Sequence, residues 1–117
     1  MAVVTSSLNS RSESFVANVA QLKAQTEALR TLAARVALGG GEAAQAKHKA
    51  RGKLPVRERI ELLCDAGTPF LEVGQLAAEE VYDEAIPSAG IVTGVGQVEG
   101  RLCMIVANDA TVKGGTY

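Results

Sequence analysis

The sequence predicts an α/β chain, helical in its first half and β in its second. Three observations carry that expectation. Phe15, Val19, Leu22, Leu29, Ala33 and Val36 recur at three- and four-residue steps, with Thr26 filling the gap, and so draw an apolar stripe along one helical face. Glycines at 39–41 and Pro55 cut the helical half into pieces. From Phe70 the pattern changes, and two β-rich runs, "GIVTGVGQV" and "RLCMIVAND", flank the dipeptide Glu99-Gly100.

Each element follows in order. Residues 1–9 read as a loose tail. Ser10-Arg11-Ser12-Glu13 spells a capping box, with Ser10 capping and Glu13 reaching back. A long helix is expected from there to about Leu38. Its stripe suits a helix docked on a larger body or on a partner; it is too short and too Ala-rich for a coiled coil. The three glycines end it, since Gly accepts the left-handed position after a helix. A short second helix, "EAAQAKHKAR", is expected from Glu42. Pro55 suits the first turn of a third, with Val56, Ile60 and Leu63 on one face, Gly67 as the stop and Leu54 a poor cap.

"FLEVG" at 70–74 reads as a strand, and "QLAAEEVYDEAIPSAG" as an irregular, acidic, exposed segment. The two β-rich runs joined by Glu99-Gly100 make a hairpin with a two-residue turn. Its second strand is apolar without interruption from Leu102 to Ala107, which predicts burial on both faces. Little chain is left to cover it.

Composition narrows the function. The net charge of −1 argues against a general role on nucleic acid or a membrane surface. No apolar run approaches the roughly 20 residues that cross a bilayer. The first fifteen residues lack a charged segment followed by an apolar one, so no secretory signal is expected. Glu13 and the single Arg11 fit a transit peptide poorly. Aromatic residues are few (Phe15, Phe70, Tyr82, Tyr117), so the core must be aliphatic, which is thin for an independent domain. Cys64 and Cys103 sit far apart in apolar runs and are expected as buried thiols of a reducing cytosol, with a disulfide as the alternative. With one histidine, His48, they make no zinc site.

Charge is sorted along the chain. Lys47, Lys49, Arg51, Lys53, Arg57 and Arg59 hold six of the twelve cations, and Glu72 to Glu84 holds five of the thirteen acids. Such a basic cluster at a helix start can hold phosphates, by charge and by free backbone N–H groups. It can equally be a solvated face, or pair with Glu58, Glu61 or the acidic segment. No aromatics interleave it, which disfavours nucleic acid. Gly94, Gly96 and Gly100 miss the dinucleotide-binding spacing by one residue and lie between two strands, so they mark a bulge or close packing. "KGGT" at 113–116 is no P-loop, but Gly-Gly after a strand lets backbone approach a ligand, and Lys113 beside it could meet an anion; a plain strand-to-helix turn is the alternative. Ser88, the tail serines and His48 form no nucleophile motif. The acid pairs Glu79-Glu80 and Asp83-Glu84 read as solvated.

Two stretches and their order carry a resemblance: "GGGEAAQAKHKARGKLPVRERIELLCDAGTPFLEVG" and "GIVTGVGQVEGRLCMIVANDATVKGG". They resemble the N-terminal part of the carboxyltransferase (β) subunit of biotin-dependent acyl-CoA carboxylases, over Gly39 to Tyr117. The run "RGKL..RERI..L.D.G..F.E" is the specific signature. "ANDATVKGGTY" looks most like the methylcrotonoyl-CoA type, with the geranoyl-CoA type close behind. Propionyl- and acetyl-CoA types usually carry a Gln-Asp-Phe or Arg-Asp-Phe step where Asn108, Asp109 and Ala110 stand, and Phe or Met in place of Lys113.

The resemblance implies a crotonase-like α/β fold, here incomplete. Residues 1–38 would be tail and docking helix, and 39–117 the beginning of the carboxyltransferase domain. It implies transfer of CO2 from carboxybiotin to an acyl-CoA, most closely 3-methylcrotonoyl-CoA of leucine degradation. Biotin would be carried on a partner α subunit, and β subunits would assemble as a hexameric core. Arg51, Lys53, Arg57 and Lys113 would face the CoA; Arg57 and Arg59 could instead hold their helix to the core. No catalytic residue and no metal ligand is assigned. The chain reads as a fragment, inactive alone, of a bacterial cytoplasm or, in a eukaryote, the mitochondrial matrix. The rival of another class is a short non-catalytic binding module that docks through its long helix.

Overall fold

A computed structural model describes residues 3–115. Three helices, α1 (Glu13–Ala37), α2 (Glu42–Ala50) and α3 (Val56–Leu63), precede three strands, β1 (Leu71–Val73), β2 (Ile91–Val98) and β3 (Arg101–Asn108). The strands form one antiparallel sheet in the order β1-β2-β3. The chain divides into two compact units, residues 1–32 and 33–117.

The first unit is the tail and most of α1. Ser12, not Ser10, caps the helix: its hydroxyl accepts from Phe15 N at 3.2 Å, and Glu13 is the first helical residue. The cap shifts because Asn9 organises the preceding turn, taking Arg11 N on its side chain and the Ser12 hydroxyl on its carbonyl. The expected stripe is present in register, yet Leu22 and Leu29 are exposed and only Val36 of the helix is buried.

The second unit begins inside α1 for a physical reason. The last turn of the helix is tied down: Gln75 Nε2 donates to the Ala33 carbonyl at 3.0 Å and Arg35 pairs with Glu79. The glycines that follow do more than stop the helix. Gly39 takes a φ of 56°, and a Cβ on it would stand 2.9 Å from Thr111 Oγ1 and collide with the Asp109 carboxylate. Gly40 N donates to Thr111 Oγ1, and Asp109, itself buried, accepts from both the amide and the hydroxyl of Thr111.

The core is small and aliphatic. Val56 and Ile60 of α3 pack on Val92 and Ile105 of the sheet, with Cys64, Phe70, Val98 and Ala107 around them. Leu63 stays exposed, and Pro55 is the cap of α3 rather than its first residue. The helix ends at Leu63, before Gly67, because Cys64 is already extended (φ −75°, ψ 152°) and Asp65 turns back to the hairpin. Asp65 N donates to the Gln97 carbonyl, and its carboxylate accepts from Glu99 N and Gly100 N, each at 2.7 Å. Those amides are exposed by a turn in which Glu99 and Gly100 both have positive φ, as a two-residue hairpin requires.

The β2–β3 register is unbroken from Ile91↔Asn108 to Val98↔Arg101, so the glycines mark close packing and not a bulge. At Gly94 a Cβ would strike the Leu71 carbonyl and the Phe70 ring; at Gly96 it would lie 2.6 Å from Cys64 Sγ. β3 departs from expectation. Ile105 is buried, but Leu102, Met104 and Val106 are 79, 66 and 64% exposed, so the strand buries one face only. Alternation puts these three side chains on the face opposite α3. Both cysteines are free and half-buried, not fully buried, because they lie at the rim of this thin core.

Phe70 needs the bare backbone of β2 beneath it. Gly94→Ala should lower stability by about 1–3 kcal/mol through overpacking, read as a lower urea midpoint with an unchanged m-value.

Candidate functional site

The basic cluster of the sequence spans the end of α2, the loop 51–55 and the start of α3. Folding sorts its members by partner. Lys49 pairs with Glu58 at 2.6 Å, one turn of helix meeting the next. Arg57 turns inward: Nη2 meets Glu72 Oε1 at 2.6 Å and Nη1 donates to the Ala37 carbonyl at 3.1 Å. Arg59 Nη2 donates to the Asn108 carbonyl at 2.5 Å. Lys113 pairs with Glu84 of the acidic segment. Among the described residues Lys47, Arg51 and Lys53 form no ion pair.

Two concave surfaces compete for a ligand. The wider is a groove of about 850 Å³ along α3 and the Asp65–Phe70 turn, walled by Ile60, Cys64 and Phe70. Its one cation, Arg57, is paired with Glu72, and Glu61 and Asp65 leave the lining acidic, which does not suit an anion. The second is an open cleft of about 580 Å³ lined by His48, Lys53, Leu54, Arg59, Asn108, Ala110 and the backbone of Gly114 and Gly115. Lys53 brings an unpaired charge to it, and Arg59 a second cation whose bond is to a neutral carbonyl. Gly52, with φ 72°, turns Lys53 out of α2, and His48 Nε2 donates to the Leu54 carbonyl at 3.2 Å to hold the loop closed.

The glycine step is the floor of this cleft. Lys113, Gly114 and Gly115 all have positive φ (46, 71 and 81°), so the chain curls left-handed as it leaves β3. The curl is fixed by Gly115 N donating to Val112 O and by the buried Asp109–Thr111 pair before it. A cationic cleft over curled, side-chain-free backbone suits an anion such as phosphate.

Of the four residues expected at a CoA site, the structure puts Lys53 in the cleft, whereas Arg51 is the C-cap of α2 and does not line it. Arg57 lies in the other groove, and the Lys113 side chain points to Glu84. Sequence reasoning missed His48 and Arg59 as cleft residues. The available signal was their place on either side of Lys53, across the loop between Gly52 and Pro55. Among the described residues no three His, Cys, Asp or Glu side chains stand together as a metal site, and no helix is long and apolar enough to cross a membrane.

Residues 47–117 match the carboxyl transferase domain family. The chain belongs to that family. The mitochondrial methylcrotonoyl-CoA carboxylase beta chain of Arabidopsis thaliana is 45% identical over 98% of this chain and 20% of its own length. The biotin-dependent 3-methylcrotonyl-coenzyme A carboxylase beta1 subunit of Mycobacterium tuberculosis is 60% identical over 72% of this chain and 16% of its own. The crystal structure of the Pseudomonas aeruginosa geranyl-CoA carboxylase beta subunit superposes with a TM-score of 0.84 at 34% identity, over 97% of this chain and 21% of that one. This family member therefore spans about a fifth of the length of those relatives. The crotonase-like α/β class expected from the sequence holds, with helices first and antiparallel strands after.

Arg57 is the joint of this carboxyltransferase unit. Arg57→Met should cost about 2–4 kcal/mol, because it strands the half-buried Glu72 carboxylate. Arg57→Lys should recover only part of that loss, since an ammonium cannot fork to Glu72 and the Ala37 carbonyl together. Thermal melts of the three proteins read the difference.

Proposed function

We propose that this chain is the N-terminal, CoA-facing portion of a carboxyltransferase β subunit. The whole protein would move a carboxyl group from carboxybiotin to an acyl-CoA, and 3-methylcrotonoyl-CoA is the acceptor favoured. One observation carries the reading: 45% identity, over 98% of the chain, to a methylcrotonoyl-CoA carboxylase beta chain. The likeness to a geranyl-CoA carboxylase β subunit over 97% of the chain makes geranoyl-CoA the second acceptor to test. A propionyl-CoA carboxylase subunit of Haloferax mediterranei, 37% identical over 67% of the chain, is the third.

Coenzyme A presents phosphates, and the Lys53–Arg59 cleft is the described surface with the chemistry to meet them. Lys53 supplies a mobile charge, Arg59 a fixed one, and Gly114-Gly115 a backbone that a phosphate can approach closely. Arg51 stands near enough in sequence to extend the cationic rim. For Arg57 and Lys113 to join, they would have to leave Glu72 and Glu84. The cleft is cationic and does not suit the uncharged fused rings of biotin. Biotin would arrive on a separate carrier subunit, as the names of biotin-dependent relatives suggest. A hexameric β core is supported by the solved transcarboxylase 12S core, described as a hexamer assembly. The location we propose is the cytoplasm of a bacterium or, in a eukaryote, the mitochondrial matrix; a mitochondrial relative and a bacterial one support it.

The test is a chimera. This chain replaces the corresponding stretch of the Arabidopsis beta chain, paired with its biotin-carrying partner. Carboxylation of 3-methylcrotonoyl-CoA should persist in a soluble, assembled chimera; loss of turnover with assembly intact sinks the reading. Within that chimera, Lys53→Glu should raise KM for the acyl-CoA by roughly tenfold, the equivalent of one lost charge-assisted contact of about 1.4 kcal/mol, with kcat nearly unchanged.

A further inference from the structure

The two cysteines are far apart in sequence and meet over one rung of the sheet. Gly96 has no side chain, and Cys64 Sγ fills the space, 2.6 Å from where a Cβ would stand. Directly across the ladder from Gly96 is Cys103. Paired residues of an antiparallel ladder point to the same face, with Cβ positions about 4.5–5.5 Å apart. Cys64 Sγ is therefore within about 8 Å of the Cys103 Cβ, on the same side of the sheet.

Neither thiol is committed elsewhere. Cys103 Sγ has only a long contact of 3.6 Å to the Arg101 carbonyl, and the described residues give Cys64 no hydrogen-bond partner. Cys64 lines the open groove along α3, so a small oxidant reaches it. It is also the residue at which α3 has already unwound, so its backbone can move without breaking a helical turn. Cys103 is half-buried, on a strand with one neighbour among the described residues.

We infer that Cys64 and Cys103 are a latent redox pair that closes to a disulfide when the chain meets a peroxide. The Cys64 thiolate attacks the peroxide; an S–O bond forms, the O–O bond breaks and, with a proton, one water leaves. The Cys103 thiol then attacks the sulfenic sulfur; the S–S bond forms, the S–O bond breaks and a second water leaves. Two thiols give two electrons to one hydrogen peroxide, and two waters result. The closed bridge would pin the end of α3 to β3. A thiol reductant reopens it.

The experiment treats the purified chain with stoichiometric hydrogen peroxide, in native buffer and in guanidinium chloride. Intact mass and non-reducing peptide mapping follow the product. The expected product is a monomer lighter by about 2 Da that carries a Cys64–Cys103 peptide, forms about tenfold faster in native buffer than in denaturant, and reverts with dithiothreitol. Cys103→Ser should leave Cys64 as a sulfenic acid that a dimedone probe captures. Equal rates in the two solvents overturn the inference, as do intermolecular dimers, over-oxidised thiols without a bridge, or thiols that remain fully alkylatable.

Discussion

One guanidinium joins three elements. Arg57 stands in the first turn of α3, one arm on the carbonyl that ends α1 and the other on Glu72 in β1. The free carbonyls at a helix terminus carry a partial negative charge, and a carboxylate carries a whole one; a planar fork meets both at once. Without this joint, α3 would have only four buried side chains' worth of contact to hold it against the sheet. Asp109 plays the matching part on the far side. Buried and doubly bonded to Thr111, it holds the exit of β3 against the glycine turn after α1. A core this small is positioned by polar joints as much as by apolar area, because little apolar area exists to be buried.

Those joints explain how the cleft comes to exist. Arg57 and Arg59 are two residues apart on α3, so they leave the helix in different directions. The first fixes α3 to β1 and the end of α1. The second reaches the end of β3 and stands beside the left-handed curl at Gly114-Gly115. Lys53 enters the same space because Gly52 turns the chain between two helices. The affinity for anions assigned to this cleft is thus a by-product of how α3 is fastened.

Much of the fold was legible. A helical stripe, the glycine and proline breaks and the β-rich runs located the helices and strands, and the two runs meeting at a two-residue step with Gly second gave the hairpin turn. The errors were local competition or missing neighbours. Ser10 and Ser12 are both capable caps, and Asn9 decided between them through hydrogen bonds that no spacing rule contains. Uniform apolarity in β3 implied two covered faces, but composition cannot say whether the cover comes from the same stretch of chain. For the site, the cluster of cations was plain, but which of them stay free depended on Glu58, Glu72 and Glu84 folding back across sequence gaps. The Asp65 clamp on the hairpin turn left no signal at all, because an Asp before Ala-Gly-Thr-Pro reads as an ordinary loop residue.

The sheet is also directional. β1 covers one side of β2, and among the described residues nothing pairs with the far side of β3. An eight-residue strand with one charge, Arg101, at its very start offers a row of backbone donors and acceptors with almost nothing to repel a newcomer. A strand added at this edge, which is longer than that of the three-residue β1, would take over the register already set by the hairpin. Leu102, Met104 and Val106, on the face opposite α3, would then gain cross-strand neighbours on the face of a wider sheet. β3 is in that sense a template, and the helices and joints behind it are the frame that holds the template straight.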